Sequence, residues 1–265
     1  MNNRYVGALI IAPFIIFLFL GGIYLKYTIM ILSLLGMYEF YKVVKFKNMH
    51  PITVAGYLLC VVYYMTLNRT TDYRMSFFLL IITVLIIMCI PVMDTEYNFI
   101  DVAITILGFL YIAVFFSFIV LVNNKVYGNY LVWLIFISSW LCDTAAYYTG
   151  RAFGKRKLCP KVSPKKTIEG SIGGMLGSTI VCGILGYVIN SNGISIPLYH
   201  FFLIGAICSV FSQFGDLAAS SIKRHIGVKD YSNLIPGHGG ILDRFDSILF
   251  AAVIVYYYIT FVIGI

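Results

Sequence analysis

Apolar runs longer than about 18 residues recur along this chain, and that is the length needed to cross bilayer hydrocarbon as a helix. The feature decides the fold class. In lipid every backbone N–H and C=O must find its partner within the chain, so only helices and closed barrels span. The runs are continuously apolar and do not alternate with period two, which excludes a barrel. The chain is therefore read as all-α, a polytopic integral membrane helical bundle. About nine transmembrane helices are expected, at roughly 6–24, 27–44, 53–68, 76–93, 98–122, 129–150, 171–190, 197–222 and 243–264. A water-soluble fold fails on composition. Only 11% of the residues are charged, against about 25% in soluble chains, and the mean hydropathy is +0.91. The opening MNNRYVGALIIAPFIIFLFL lacks a small-residue cleavage site and reads as a retained first helix.

The net charge of +8 follows from topology and needs no nucleic-acid partner. With nine spans, all of the 19 Lys and Arg except Lys26, Arg69, Arg74 and Lys125 fall on one side. That asymmetry puts the loops 151–170 and 223–243 in the cytoplasm, at the cell membrane. The six cysteines lie mostly inside apolar runs with no metal-ligand spacing, as small core residues do. No internal repeat or soluble domain appears. The chain reads as one membrane-embedded domain, 1–265, whose helices over 1–125 carry no assigned role.

Topology does not explain the acids. Aspartate deep in a span costs roughly 2.5–3.5 kcal/mol on insertion scales. Yet Asp143 sits in SSWLCDTAAYYTG, Asp216 in SVFSQFGDLAASSIKR, and Asp243 and Asp246 open the last span in GHGGILDRFD. All four lie toward one face of the membrane. Asp243 and Asp246 are i, i+3, and Asp216, Ser220 and Lys223 are i, i+4, i+7, so each set shares one helical face. Carboxylates beside a lysine form an oxygen cage suited to a hard cation such as Mg²⁺, which takes one or two carboxylates plus waters and substrate phosphates. The absence of Cys and the scarcity of His here argue against zinc. Around His238 stand Pro236, Gly237, Gly239 and Gly240, and glycines let backbone N–H groups approach an anion closely. Lys223, Arg224, Lys229 and Arg244 flank that turn. A second basic segment, RAFGKRKLCPKVSPKKTIEGS, reads as another phosphate-gripping loop. Metal, cations and backbone donors together are the apparatus of phosphoryl or nucleotidyl transfer. Glu39, near the end of the second span, receives no role. RHIG at 224–227 lacks the last residue of a HIGH motif, and there is no P-loop.

The stretch from Ser221-Ile-Lys223-Arg224 through Lys229-Asp230 to Ile235-Pro-Gly-His-Gly-Gly-Ile-Leu-Asp-Arg-Phe-Asp246 resembles the signature of the phosphatidate cytidylyltransferases, the CDP-diacylglycerol synthases. Asp143-Thr-Ala-Ala-Tyr-Tyr-Thr-Gly-Arg151 and Ser163-Pro-Lys-Lys-Thr-Ile-Glu-Gly170 look like further blocks of that family. The likeness covers the C-terminal half, so the catalytic helices fall in 129–265; the N-terminal half matches in hydropathy alone. The resemblance implies that CTP and phosphatidic acid give CDP-diacylglycerol and pyrophosphate, with Mg²⁺, at the surface of the lipid membrane. It implies Asp216 and Asp243 as metal ligands, with Asp246 supporting the metal or orienting a base. It gives Lys223, Arg224, Arg244, Lys165 and Lys166 the task of gripping phosphates, together with Ser220, Gly239 and Gly240. His238 would donate to the leaving pyrophosphate, and Asp143 would either join the metal or hold a lysine.

Two other readings stay open on the residues. A related CTP-using enzyme with another lipid acceptor, such as a polyprenol kinase, would share the phosphate apparatus. A transporter would also carry intramembrane acids, but with inverted repeats and acids near the midplane. Small residues at Ala145, Ala146, Ala218 and Ala219 allow helices to pack within or between protomers, which permits a homodimer.

Overall fold

In the computed structural model, which describes residues 14–67, 73–237 and 239–265, the apolar runs are helical. Residues 14–20 form a helical turn that Gly21 interrupts at φ 61° before α1 (Gly22–Val44) begins. The first two expected spans therefore meet at Gly21, not near residues 24–27, because glycine enters the left-handed region without a Cβ clash. Residues 6–13 of the first expected span, together with Arg4 and Arg69, lie outside the described residues. Next come α2 (Thr53–Thr66), α3 (Tyr73–Met93) and α4 (Phe99–Gly108). A π-helical turn (Phe109–Val114) carries α4 into α5 (Phe115–Asn123). Then follow α6 (Gly128–Phe153), a β-hairpin, α7 (Ile168–Ser191), α8 (Leu198–Ile226) and α9 (Leu242–Tyr257), which a second π-helical turn (Tyr258–Ile263) extends.

Among the described residues, five helical stretches are long and apolar enough to cross a membrane: Phe99–Asn123, Gly128–Phe153, Ile168–Ser191, Leu198–Ile226 and Leu242–Ile263. Thr53–Thr66 and Leu80–Met93 are shorter apolar helices. Ile172, Leu176, Ile180 and Ile184 stand exposed at every fourth position of α7. Such a stripe suits lipid and would be a liability in water.

The chain packs as two units. The first is Met1–Ser117 with Asp230–Leu242. Its core is built round buried tyrosines. Gly56 and Gly108 leave the room that the Tyr41 ring fills, and Tyr41 Oη donates to the Thr105 carbonyl at 2.7 Å. Tyr64 Oη donates to the Ala113 carbonyl, inside the π-helical turn, at 3.1 Å, and shares a 2.9 Å hydrogen bond with Ser33. Asn98 begins α4 with a capping box completed by Asp101, which satisfies N–H groups that a helix start otherwise leaves unpaired.

The second unit is Phe118–Lys229 with Asp243–Ile265. Its helices meet through small residues, which let backbones approach closely where no water drives them together. A Cβ on Gly170 or Gly174 would come within 2.8 Å of the α6 carbonyls of Ala146 or Cys142. Gly177 faces Ala145, and Gly174 also faces Ala146. The small face of α6 is thus occupied within the unit, and Ala219 is buried too. Ser178 Oγ donates to the Gly205 carbonyl at 3.0 Å between α7 and α8, and Ser212 Oγ donates to Ser139 Oγ at 3.2 Å between α8 and α6. Gly215 of α8 lies against the Asp246 carbonyl of α9.

The basic segment after α6 folds as an antiparallel hairpin, β1 (Lys157–Cys159) and β2 (Ser163–Thr167), with Lys157 opposite Thr167 and Cys159 opposite Ser163. Strands this short, with Pro164 in one of them, show no period-two signal to read. The base of the hairpin is pinned by Glu169, whose carboxylate accepts the Lys155 N–H at 3.0 Å and the Arg156 N–H at 3.2 Å.

Candidate active site

A cavity of about 410 Å³ opens in the second unit. Four elements wall it. From α6 come Asp143, Tyr147 and Arg151, from the hairpin Lys165 and Lys166, from the start of α7 Ser171, and from α8 Gln213 and Asp216. Two acids from separate helices and three cations thus face one space of the size that holds a small polar ligand. Local sequence explains the placement of Lys165, Lys166 and Asp216. Thr167 is the N-cap of α7, accepting the Gly170 N–H at 3.1 Å, and this directs Lys165 and Lys166 just before the helix. Asp216 lies one residue beyond Gly215, whose missing side chain lets α8 and α9 touch.

The charges are arranged in alternation. Lys166 forms an ion pair with Asp216, which also accepts a hydrogen bond from Ser220 Oγ at 3.2 Å. Lys223 Nζ donates to Asp243 Oδ1 at 2.6 Å, in a pair whose side chains are only 10% and 2% exposed. Asp143 lies in the field of Lys166, Asp216 and Arg244. Asp246, 8% exposed, lies in the field of Asp216, Lys223 and Asp143, and accepts the Ser247 N–H at 2.8 Å. Carboxylates in one another's field repel unless cations intervene, and here Lys166 and Lys223 do so.

The structure therefore brings together Asp143, Asp216, Lys165 and Lys166 around the cavity. Ser220 and Asp246 adjoin Asp216, and Lys223 pairs with Asp243. Asp216 and Ser220, one turn apart on α8, are joined by the Ser220–Asp216 bond. Other expected residues have partners of their own. Arg224 turns to loop carbonyls, those of Val162 and Val228, each at 3.4 Å. Gly239 belongs to the first unit, where its carbonyl accepts the Ile235 N–H at 2.9 Å in a tight turn. Gly240, in the same unit, packs against the carboxyl group of Glu39. His238 lies outside the described residues.

Sequence reasoning passed over several cavity residues. Gln213, 7% exposed, donates from Nε2 to the Ser171 carbonyl at 3.3 Å and ties α8 to α7. Its signal was available: a polar side chain inside an apolar span, three residues before Asp216. Arg151 and Tyr147 line the cavity but were noticed only as part of a block.

Among the described residues, no group of three His, Cys, Asp or Glu side chains is disposed to hold a metal ion alone. The acidic donors that line the cavity, Asp143 and Asp216, are carboxylates. That chemistry fits Mg²⁺, which completes its octahedron with waters and substrate phosphates and does not need a dedicated protein cage. Such a site can stabilise charge on transferred phosphoryl groups.

Comparison with known proteins gives consistent findings. The cytidylyltransferase family model matches residues 2–262. The chain is 32% identical over 268 residues to a phosphatidate cytidylyltransferase of Bacillus subtilis, an alignment covering 97% of each chain. It is 35% identical over 262 residues to one of Staphylococcus aureus, covering 94% of this chain and 95% of that one. A relative of the same name from Staphylococcus saprophyticus is 41% identical over 176 residues, which span 66% of this chain and 63% of the relative.

Proposed function

This chain belongs to the cytidylyltransferase family, and from that premise we propose that it transfers CMP from CTP to phosphatidate. An oxygen of the phosphatidate phosphomonoester bonds to the α-phosphorus of CTP. The bond from that phosphorus to the β-phosphate oxygen breaks, and the products are CDP-diacylglycerol and pyrophosphate. The observation that carries the reading is the cavity itself, where Asp143 and Asp216 face Arg151, Lys165 and Lys166. A triphosphate and a phosphomonoester bring several negative charges together, and only a site rich in cations tolerates them.

Each residue then has a task. Lys165, Lys166 and Arg151 neutralise the triphosphate. Thr167 holds the start of α7 so that the two lysines face the cavity. Lys223, held by Asp243, supplies positive charge next to Asp246. The attacking phosphate is already ionised near neutral pH, so no general base is required. Mg²⁺ would be held by Asp216 and Asp246 and would polarise phosphoryl oxygens as a Lewis acid. Asp243, the other expected ligand, is engaged by Lys223. The proposed location is the bacterial cytoplasmic membrane with the cavity toward the cytoplasm, supported by the cations of the hairpin.

The test is transfer of label from CTP into lipid by purified protein given phosphatidate, with and without Mg²⁺. Labelled CDP-diacylglycerol that requires both lipid and metal is the expected result. Label that enters lipid only with a different acceptor would replace this reading with a related CTP-dependent lipid enzyme.

A further inference from the structure

Glu39 is fully buried. A buried carboxylate is costly unless it is fully hydrogen-bonded, and this one is met by donors from a segment some 200 residues away. Ser232 Oγ donates to Oε1 at 2.6 Å, the Ile241 N–H donates to Oε1 at 2.9 Å, and the Leu242 N–H donates to Oε2 at 2.9 Å. Ile241 and Leu242 are the residues at which α9 starts. N–H groups at a helix start have no partner within the helix, and the helix dipole there favours negative charge. Helix N-termini bind phosphates for the same reason. At α9 that place is already taken by a carboxylate of the chain.

Gly240 completes the arrangement. A Cβ built on it would lie 2.6 to 2.8 Å from all three atoms of the Glu39 carboxyl group. The neighbouring Gly237 and Gly239 have positive φ, at 74° and 82°, whereas Gly240 does not. What Gly240 supplies is therefore space, and Glu39 fills it.

We infer that Glu39 is a positioning residue for the transfer reaction: its carboxylate fixes where α9 begins, and so the direction in which Asp243 and Asp246 of the first turn point. The inference rests on the reading of those acids as part of the active site. A helix start that slips by part of a turn rotates every side chain of the first turn about the axis, and a misplacement near 1 Å is enough to cost about a hundredfold in rate.

The test compares full-length Glu39→Gln, Glu39→Asp, Gly240→Ala and the double variant Glu39→Asp/Gly240→Ala. kcat and KM for CTP and for phosphatidate are measured on protein shown to be monodisperse with a cooperative thermal transition. Glu39→Gln keeps the shape but turns an amide NH₂ toward N–H donors. It is expected to lower kcat about 10- to 100-fold while KM for CTP stays within about threefold. Gly240→Ala is expected to resemble it, because the new methyl pushes the carboxylate away. The shorter side chain of Glu39→Asp makes room for that methyl, so adding Gly240→Ala to Glu39→Asp is expected to cost less than about threefold. Losses that multiply, with KM for CTP raised by Gly240→Ala, would overturn the inference and give Gly240 to the nucleotide. A lowered thermal midpoint with kcat unchanged in Glu39→Gln would overturn it as well, leaving Glu39 a stabilising role only. If Glu39→Gln yields no folded protein, the glycine pair decides alone. Asp216→Asn, run in parallel, separates the two readings. Full activity there removes the site assignment, whereas an inactive Asp216→Asn beside a fully active Glu39→Gln removes only the positioning role.

Discussion

Two sets of acids, one in each unit, solve the same electrostatic problem differently. Glu39 is surrounded by uncharged donors, two of them backbone N–H groups, and its charge is spread over fixed dipoles. Asp143, Asp216 and Asp246 lie in one another's field, and their relief comes from Lys166 and Lys223. The first arrangement has no reason to change partners, because backbone donors cannot leave. The second can exchange a lysine for a metal ion, or lend that lysine to a phosphate, since an ammonium group is a flexible point charge on a long stem. Fixed donors belong to a positioning device and exchangeable ones to a site that turns over.

The comparison can be broken at several points. The largest effect is expected at Asp216, which stands in both the ion pair and the cavity. Asp216→Asn keeps the shape and removes the charge, and CMP transfer should fall about a thousandfold or more, measured as label entering lipid. Activity within tenfold of the parent would show that the exchangeable acids do not serve the reaction. Lys166→Gln comes next. It removes one phosphate contact and leaves Asp143 and Asp216 facing each other uncompensated, so the rate should drop about a hundredfold. An unchanged rate with a lowered thermal midpoint would make Lys166 a mere counterion. Thr167→Ala removes the cap of α7 and should cost about 1 kcal/mol of stability, seen as a small fall in the thermal midpoint. Thr167→Ser should restore it. The smallest effect is expected at Lys157, exposed on β1 and outside the cavity. Lys157→Gln should leave kcat within about twofold, since exposed charges contribute little.

Much of this was legible in the sequence, for reasons that differ by residue. The helices announced themselves because lipid demands long apolar runs. Asp143, Asp216, Asp243 and Asp246 announced themselves because charge in such a run is costly. Glu39 did not, although it is buried more completely than Asp246. Its partners are mainly backbone N–H groups, which every residue but proline carries, so nothing in the sequence marks Ile241 and Leu242 as waiting for a carboxylate. The hairpin was hidden by its shortness and by Pro164. Gly240 was visible as a glycine of a basic turn, but its neighbour, a side chain from α1, lies too far off in sequence to be inferred. Gln213 was within reach, since an amide among apolar residues raises the same question as an acid.

The seam between α6 and α7 has a consequence for how such an enzyme can diversify. Gly170, Gly174 and Gly177 have no spare volume against Cys142, Ala145 and Ala146. A side chain larger than hydrogen there must displace the opposite backbone or a methyl group, so lineages drifting under selection should keep that wall of the cavity almost unaltered. Leu158 and Lys165 stand on the hairpin side, away from the seam. Novel substrate preference, whether it arises by natural divergence or by laboratory selection, should enter through the hairpin.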